Sequence, residues 1–185
     1  MNRMESMKTI NDIDFRIDSD YEVFNYQKKL TAKLDAFNGL FNQETINEIV
    51  LWKVNRYAEL SEQSLSLLNK ISSVNNAIDE TLTKDILHSL LPEPGIRLPM
   101  ASTILRFKNP NIYQIIDQRV YRIIYGKEYR SSYSENGIDQ EIELYLCYLR
   151  KLREVSGQLQ IDFSKADRIL YNADKELNKE IKIKY

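Results

Sequence analysis

The residues best suited to chemistry lie between positions 97 and 130, where charge is unevenly distributed. This stretch carries a net charge of +5, although the whole chain of 185 residues carries −1. Its charged residues are Arg97, Arg106, Lys108, Arg119, Arg122, Lys127 and Arg130 against Asp117 and Glu128. Such a run is most often a solvated helix face, but basic side chains on one face also neutralise phosphates. Because the run follows a predicted turn between two helices, we favour a phosphate-binding surface.

Asp117 is the acidic residue of this stretch that could take part in catalysis. It opens a predicted helix, and aspartate commonly caps a helix N-terminus, where the positive end of the helix dipole also favours it. On spacing alone, capping is therefore the more common explanation. A catalytic role for Asp117 depends on what surrounds it.

Other reactive groups are scarce in the sequence. His88 has no cysteine or histidine partner at metal-ligand spacing, so we predict no metal site. The single cysteine, Cys147, excludes an internal disulfide and a four-cysteine iron–sulfur cluster, and we expect it to be a small buried residue. Neither a phosphate-binding glycine loop nor a Ser-His-Asp set is evident, and we predict no cofactor.

Aromatic residues offer two further interpretations. Four tyrosines recur every four residues and could stack on bases or pack against a neighbouring helix. We favour packing, because Gly126 interrupts the helix that would present them. They are Tyr121, Tyr125, Tyr129 and Tyr133. Trp52 is expected in the core, whereas Lys53 beside it could point into a cleft.

The helices and the turn that must position the basic residues and Asp117 are predicted within residues 90–126. This stretch contains all four prolines of the chain. The run Pro92-Glu93-Pro94-Gly95 cannot continue a helix. Gly95 can adopt the positive φ of a tight reversal. Pro99 suits the first turn of the next helix, in which Met100, Ile104 and Phe107 fall on one face, with Ala101 and Leu105 beside them. This region is predicted to be a helix end, a rigid turn and a helix, with Pro110 ending that second helix.

The remainder shows helical periodicity and no convincing strand. We predict an all-α fold in which residues 1–19 form a polar arm and residues 20–185 a single helical domain. The clearest amphipathic pattern spans residues 139–156, and Ser164 with Asp167 resembles a capping box. Other helices are predicted near residues 20–37, 43–57, 61–71 and 83–91, with Ser61 as the cap of the third of these. No apolar run approaches the length of a membrane span, and the first residues lack a signal-peptide core, so a cytoplasmic protein is expected.

Residues 91–122 resemble the helix-hairpin-helix and following helix of the helix-hairpin-helix DNA glycosylase superfamily. The matching residues are Pro94-Gly95-Ile96-Arg97-Leu98-Pro99-Met100-Ala101, then residues 102–107, then Ile115-Ile116-Asp117-Gln118-Arg119-Val120. The spacing from Pro99 to Asp117 equals that between the family's lysine and its aspartate. The stretch looks closer still to an uncharacterised bacterial group with a "MAS-IL-F-P--Y-I-D-R" core and an upstream Trp-Lys pair, here Trp52-Lys53.

The resemblance implies a helix-hairpin-helix at about residues 83–107 that binds duplex DNA, with Asp117 as the catalytic carboxylate. The implied DNA-binding residues are Gly95, Ile96, Arg97, Leu98, Met100, Ala101, Arg106, Lys108, Arg119 and Arg122. The implied residues of a base pocket are Trp52, Lys53, Tyr113 and Tyr121. Members of this family extrude a damaged base from the duplex. Their aspartate stabilises the positive charge that develops on the sugar.

Two departures from the family pattern limit what the resemblance implies. Arg97 occupies the position of the second hairpin glycine and adds bulk where DNA should approach. Pro99 occupies the position of the lysine that forms a Schiff base, and proline has no side-chain nucleophile. The expectation is a monofunctional hydrolase without β-lyase activity. The alternative is a non-catalytic relative that binds DNA or another protein.

Overall fold

The computed structural model describes residues 26–54, 58–130 and 137–183. All regular secondary structure in these ranges is helical, which confirms the predicted all-α class. The helices are α1 Lys28–Asp35, α2 Gln43–Lys53, α3 Glu62–Asn69, α4 Glu80–Leu90, α5 Leu98–Lys108, α6 Gln118–Tyr125, α7 Gly137–Leu159 and α8 Ala166–Leu177, with a 3₁₀ turn, Phe163–Lys165, before α8. Within these ranges, no helix combines the length and the apolar character needed to cross a membrane.

The chain divides between residues 57 and 58 into two compact units. The sequence had suggested one helical domain from residue 20 onward, and we describe the two units separately. The predicted arm of residues 1–19 lies outside the described residues.

The first unit contains α1 and α2. Asn42 caps α2 by accepting a hydrogen bond from the Thr45 amide. The Trp52 indole donates to Thr31 Oγ1 at 2.9 Å, and its ring lies edge-on to that of Tyr26, with 5.2 Å between the ring centres. Trp52 is partly buried, so its contacts within this unit support the predicted packing role.

The second unit is built around α7, in which the predicted apolar stripe is buried. The stripe consists of Ile142, Tyr145, Leu146, Leu149 and Leu152, which are buried, and Val155, which is partly buried. Helix α4 packs on α7 and α3, and α6 packs on α8. By contrast, Cys147 lies on the exposed side of α7, so the expectation that it is buried was wrong. Cys147 follows the buried Leu146, and one residue is a rotation of about 100° around the helix, which turns the Cys147 side chain away from the buried stripe.

Capping side chains explain the starts of α2, α3, α4 and α6. Ser61 caps α3 and Asp117 caps α6, as the sequence predicted. Helix α4 begins at Glu80, three residues earlier than predicted, because Asp79 accepts a hydrogen bond from the Leu82 amide. The predicted capping box at Ser164 does not form. Instead Asp162 caps the 3₁₀ turn that precedes α8.

The connection between α4 and α5 contains the predicted reversal. Gly95 has a φ of +80°, which a side chain would strain, and Pro99 lies in the first turn of α5. Gly126 ends α6 with a φ of +67°. These features confirm two helices joined by a tight turn. The helix-hairpin-helix itself stays a prediction.

Candidate functional site

The turn before α5 is fixed to the rest of the second unit by Glu93. Its Oε1 accepts hydrogen bonds from the Ser61 amide at 3.0 Å and from Ser64 Oγ at 2.9 Å. Hydrogen bonding from Ser61, and then from Ser64, lowers the pKa of the Glu93 carboxyl. A carboxylate that is ionised and hydrogen-bonded in this way holds the turn against the N-terminus of α3.

The residues predicted to contact DNA at this turn divide into buried and exposed groups. The side chains of Ile96, Leu98 and Ala101 are completely buried, so they belong to the core. Gly95 and Arg97 are exposed. Only the exposed positions, to which Met100 also belongs, can therefore meet a ligand here.

Helix α5 begins without a side-chain cap. The amide of Ala101 donates to Arg97 O, and that of Ile96 donates to Glu93 O. The amides of Leu98 and Met100 donate to no group in the described ranges. Open amides at the start of a helix favour an anion. Arg97 precedes them on the exposed surface.

A buried network positions the segment that leads to Asp117. Asn109, which is fully buried, donates from its side chain to Ser72 O and Asn75 O at 2.8 and 2.9 Å. From α7, Tyr145 donates to Gln114 O at 2.9 Å and Tyr148 to Ile115 O at 2.6 Å. These two hydroxyls satisfy carbonyl groups that would otherwise be buried without partners.

The amides of the same segment are also satisfied by side chains. Ser102 Oγ on α5 accepts from the Ile116 amide at 3.1 Å. Asp167 Oδ2 accepts from the Ile115 amide at 3.1 Å. Side chains from α5, α7 and α8 thus fix the backbone immediately before Asp117. This arrangement gives the Asp117 carboxylate a defined position, as a reactive group requires.

Asp117 is both a helix cap and a wall of a cleft. Its Oδ1 accepts from the Arg119 amide at 2.7 Å, whereas Oδ2 accepts no hydrogen bond from the described residues. The cleft has a volume of about 390 Å³. Its walls are formed by Ile115, Asp117, Val120, Asp167, Arg168, Tyr171 and Asn172. One carboxylate oxygen therefore remains available in a cleft that also contains an aromatic ring.

Asp167 forms another wall of the cleft, but its oxygens are committed to structure. Besides the Ile115 amide, it accepts from the Arg168 amide at 2.6 Å. Arg106 Nε lies 3.8 Å from Asp167 Oδ2, and Arg106 Nη2 donates to Ser164 O at 3.0 Å. Asp117 is therefore the better candidate for contact with a ligand.

Arg119 and Arg122 face Asp174 of α8 rather than a ligand. Arg122 makes a bidentate contact with Asp174 at 3.0 and 2.6 Å, and Arg119 lies at 3.2 Å. Asp174 is completely buried. Burial raises its pKa, but hydrogen bonds from Arg122 and Asn178 outweigh that effect, so the pKa lies below its ordinary value.

The predicted basic surface is thus smaller than the sequence suggested. Arg119 and Arg122 are engaged with Asp174. Arg106 is only 8 % exposed, and its charge lies beside Asp167. Lys108 is partly exposed and donates to the neutral Asn69 side chain, so that contact leaves its positive charge uncompensated.

The predicted pocket residues do not form the walls of the cleft at Asp117. Tyr113 is buried, with its hydroxyl 2.7 Å from Thr83 Oγ1, and burial raises its pKa. Tyr121 packs against Tyr125 and Tyr129, with ring centres 4.5 and 5.7 Å apart, which confirms the packing interpretation for these three tyrosines. Tyr133 lies outside the described residues. Trp52 and Lys53 belong to the first unit, where Lys53 is exposed.

The sequence did not identify Arg168, Tyr171 and Asn172 as cleft residues. They belong to α8, about 50 positions beyond Asp117 in the chain. Their spacing is that of one exposed helix face and carries no distinctive signal. These α8 residues share a cleft with Asp117 only because α6 packs against α8 in the folded chain, which the sequence does not show.

Comparison of the chain with protein-family models, curated proteins and solved structures gives no match.

Proposed function

We propose that this chain binds duplex DNA and hydrolyses the N-glycosidic bond of a damaged base, with Asp117 as the essential carboxylate. The observation that carries the proposal is the open Oδ2 of Asp117 at the wall of a cleft that also contains Tyr171. The cleft volume of about 390 Å³ is in the range of small-molecule sites and can accept one nucleobase. We place the protein in the cytoplasm, whose reducing conditions suit a chain with a single cysteine.

The chemistry follows from the position of this carboxylate. When the bond between base and sugar breaks, positive charge develops at the sugar carbon, and a fixed anion lowers that barrier. Water adds to this carbon, the bonding electrons leave with the base nitrogen, and a proton from water ends on the base. Asp117 would stabilise the cation and orient the water. Pro99 has no amine, so strand cleavage through a Schiff base is not part of the proposal.

Contact with the DNA backbone is assigned to the turn before α5 and the cations near it. The open amide of Met100, an exposed residue, favours a phosphate oxygen. Arg97 is exposed and Lys108 is partly exposed, and they add positive charge at the two ends of α5. Contacts of this kind position a protein on DNA without selecting sequence.

A second candidate is a non-catalytic relative that uses the same surface to bind DNA or a protein. The observation in its favour is that Asp117 already has a structural role as the cap of α6. In that case the cleft would be a consequence of packing between α6 and α8, and no bond would be broken.

The deciding experiment is base release by an Asp117→Asn variant. Asparagine is as good a cap as aspartate, so this substitution removes the charge and keeps the cap. We expect no base release from a panel of damaged duplexes, with DNA affinity retained. Asp79→Asn is the matched control, because Asp79 caps α4 in the same way through the Leu82 amide. Base release equal to that of the native chain would overturn the catalytic role. If the native chain releases no base but binds duplex DNA, the non-catalytic candidate is supported.

A further inference from the structure

Phe107, in the last turn of α5, is an exposed aromatic residue, and Met100 in the first turn of the helix is exposed as well. The Phe107 side chain is 67 % exposed, whereas Ala101 and Leu105 of the same helix are completely buried. A single exposed apolar residue is common on protein surfaces. The significance of Phe107 therefore depends on the groups around its ring.

Two guanidinium groups lie near that ring. The guanidinium carbon of Arg106 is 5.4 Å and that of Arg168 is 5.9 Å from the ring centre. Both distances are within the range of a cation–π interaction. Arg106 is nearly buried and donates to Ser164 O, but Arg168 is exposed and its guanidinium forms no ion pair or hydrogen bond with the described residues. Arg168 can therefore contact a phosphate while it remains beside the ring.

Arg168 also connects Phe107 to the cleft. It forms part of the cleft wall together with Asp117 and Tyr171. Tyr171 is itself 38 % exposed and has Arg119 and Lys175 at 5.7 and 5.8 Å from its ring centre. Two accessible aromatic rings, each with cations beside it, thus lie near Arg168. Proteins that hold unpaired nucleotides combine aromatic platforms and cations in this way.

We propose that Phe107 and Arg168 form a stacking subsite for an unpaired nucleotide adjacent to the one whose base enters the cleft. A base within an intact duplex has both faces covered by its neighbours, so an exposed ring gains contact only with a base that is already unpaired. The preferred DNA therefore carries at least two consecutive unpaired nucleotides, as in a bulge or a single strand. This inference rests on the proposed function, because it assumes that the cleft receives a base.

The test compares Phe107→Ala with the native chain on three DNAs of equal length. One is a fully paired duplex, one is a duplex with a two-nucleotide bulge, and one is a single strand. Stacking contributes about 1–3 kcal/mol per base, so affinity for the bulged and single-stranded DNAs should fall roughly 5- to 150-fold. Affinity for the paired duplex should change by less than about twofold, since no unpaired base meets the ring. Fluorescence anisotropy of labelled DNA measures all three affinities.

Two further variants separate stacking from a general effect on structure. Phe107→Trp keeps an aromatic face and should retain affinity for the bulged DNA. Leu177→Ala removes another exposed apolar side chain, 75 % exposed at the end of α8, and should leave all three affinities unchanged. If Phe107→Ala lowers the affinity for all three DNAs equally, or lowers none of them, the stacking subsite is overturned. In either case the proposed function still stands if the native chain binds the paired duplex. If the native chain binds none of the DNAs, both proposals fail.

Discussion

At the scale of single residues, substitution can separate the capping role of Asp117 from its proposed catalytic role. Its Oδ1 caps α6 through the Arg119 amide, and its Oδ2 remains open in the cleft. Capping requires only an acceptor oxygen, whereas stabilising a cationic sugar requires negative charge. The two roles therefore respond differently to asparagine and alanine.

We predict that Asp117→Ala lowers the free energy of unfolding by about 0.5–2 kcal/mol, and that Asp117→Asn changes it by only a few tenths. Chemical denaturation of the two variants and the native chain measures this difference. Both variants should lose base release, because both lack the charge. An equal stability loss in the two variants would mean that the charge of Asp117, and not its capping oxygen, stabilises the fold.

Asp174 gives a residue-scale prediction that depends on pH. Its pKa is lowered in the folded chain, so its contribution to stability is complete above the ordinary aspartate pKa of about 3.9 and is lost as pH falls through the folded value. At pH 7, Asp174→Asn leaves Arg119 and Arg122 without their carboxylate and should cost roughly 3–5 kcal/mol. Below about pH 4 the difference from the native chain should shrink, because the unfolded chain then binds a proton at Asp174 that the folded chain does not bind until the pH falls through its lower pKa.

Urea unfolding at several pH values measures this convergence. Asn178→Ala is the matched control, since it removes only a neutral hydrogen bond to Asp174 and should cost about 1 kcal/mol. A difference between Asp174→Asn and the native chain that stays constant down to pH 3 would show that the charge of Asp174 is not the source of the stability.

At the scale of elements, α7 supports the segment that ends at Asp117. The hydroxyls of Tyr145 and Tyr148 are donors to main-chain carbonyls of that segment. Burial, together with the nearby charges of Asp167 and Asp117, raises the pKa of Tyr148 well above its ordinary value. The hydroxyl consequently stays protonated and remains a donor at neutral pH.

We predict that Tyr148→Phe lowers the free energy of unfolding by about 1–3 kcal/mol, because the Ile115 carbonyl loses its buried donor. Tyr125→Phe is the control for loss of a tyrosine hydroxyl on a partly buried ring, since the Tyr125 hydroxyl makes no hydrogen bond to the described residues. Thermal unfolding of the two variants measures the contrast. Equal stability of Tyr148→Phe and Tyr125→Phe would argue that water replaces the lost donor.

Helix ends were the part of the fold most accessible from sequence. The caps at Ser61 and Asp117 and the stop at Gly126 depend on residues within one turn of the chain, and all three were predicted. Asp167 was misassigned as part of a capping box because one of its carboxylate oxygens accepts from the Ile115 amide, 52 positions away, and the other from the neighbouring Arg168 amide. The residues next to Asp167 in the sequence do not indicate a hydrogen-bond partner so far away in the chain.

The outward side of α5 illustrates the same limit. Met100, Ile104 and Phe107 were identified as one apolar face, yet Met100 and Phe107 are exposed, and the buried face contains Ala101 and Leu105 instead. Periodicity locates a face but does not say which of two adjacent apolar faces meets the core.

At the scale of the whole molecule, the structure changes the charge that is available to DNA. Of the seven cations between residues 97 and 130, three lie beside buried aspartates, Arg106 at Asp167 and Arg119 and Arg122 at Asp174. The other four reach solvent, and Arg168 adds an exposed cation at the cleft. The positively charged surface is therefore formed by residues from more than one stretch of the sequence.

This redistribution predicts the salt dependence of duplex binding. Each neutralised phosphate contributes about −0.9 to the slope of log affinity against log salt concentration, so seven cations would give about −6 and five would give roughly −4 to −5. We expect the shallower slope for the native chain between roughly 50 and 200 mM salt. Arg168→Gln should reduce its magnitude by about 1, because this guanidinium is exposed, whereas Arg122→Gln should lower stability through Asp174 without a matching change in slope. A slope near −6 would require the three buried ion pairs to open on binding. A slope of zero would remove phosphate neutralisation, and with it duplex DNA as the partner.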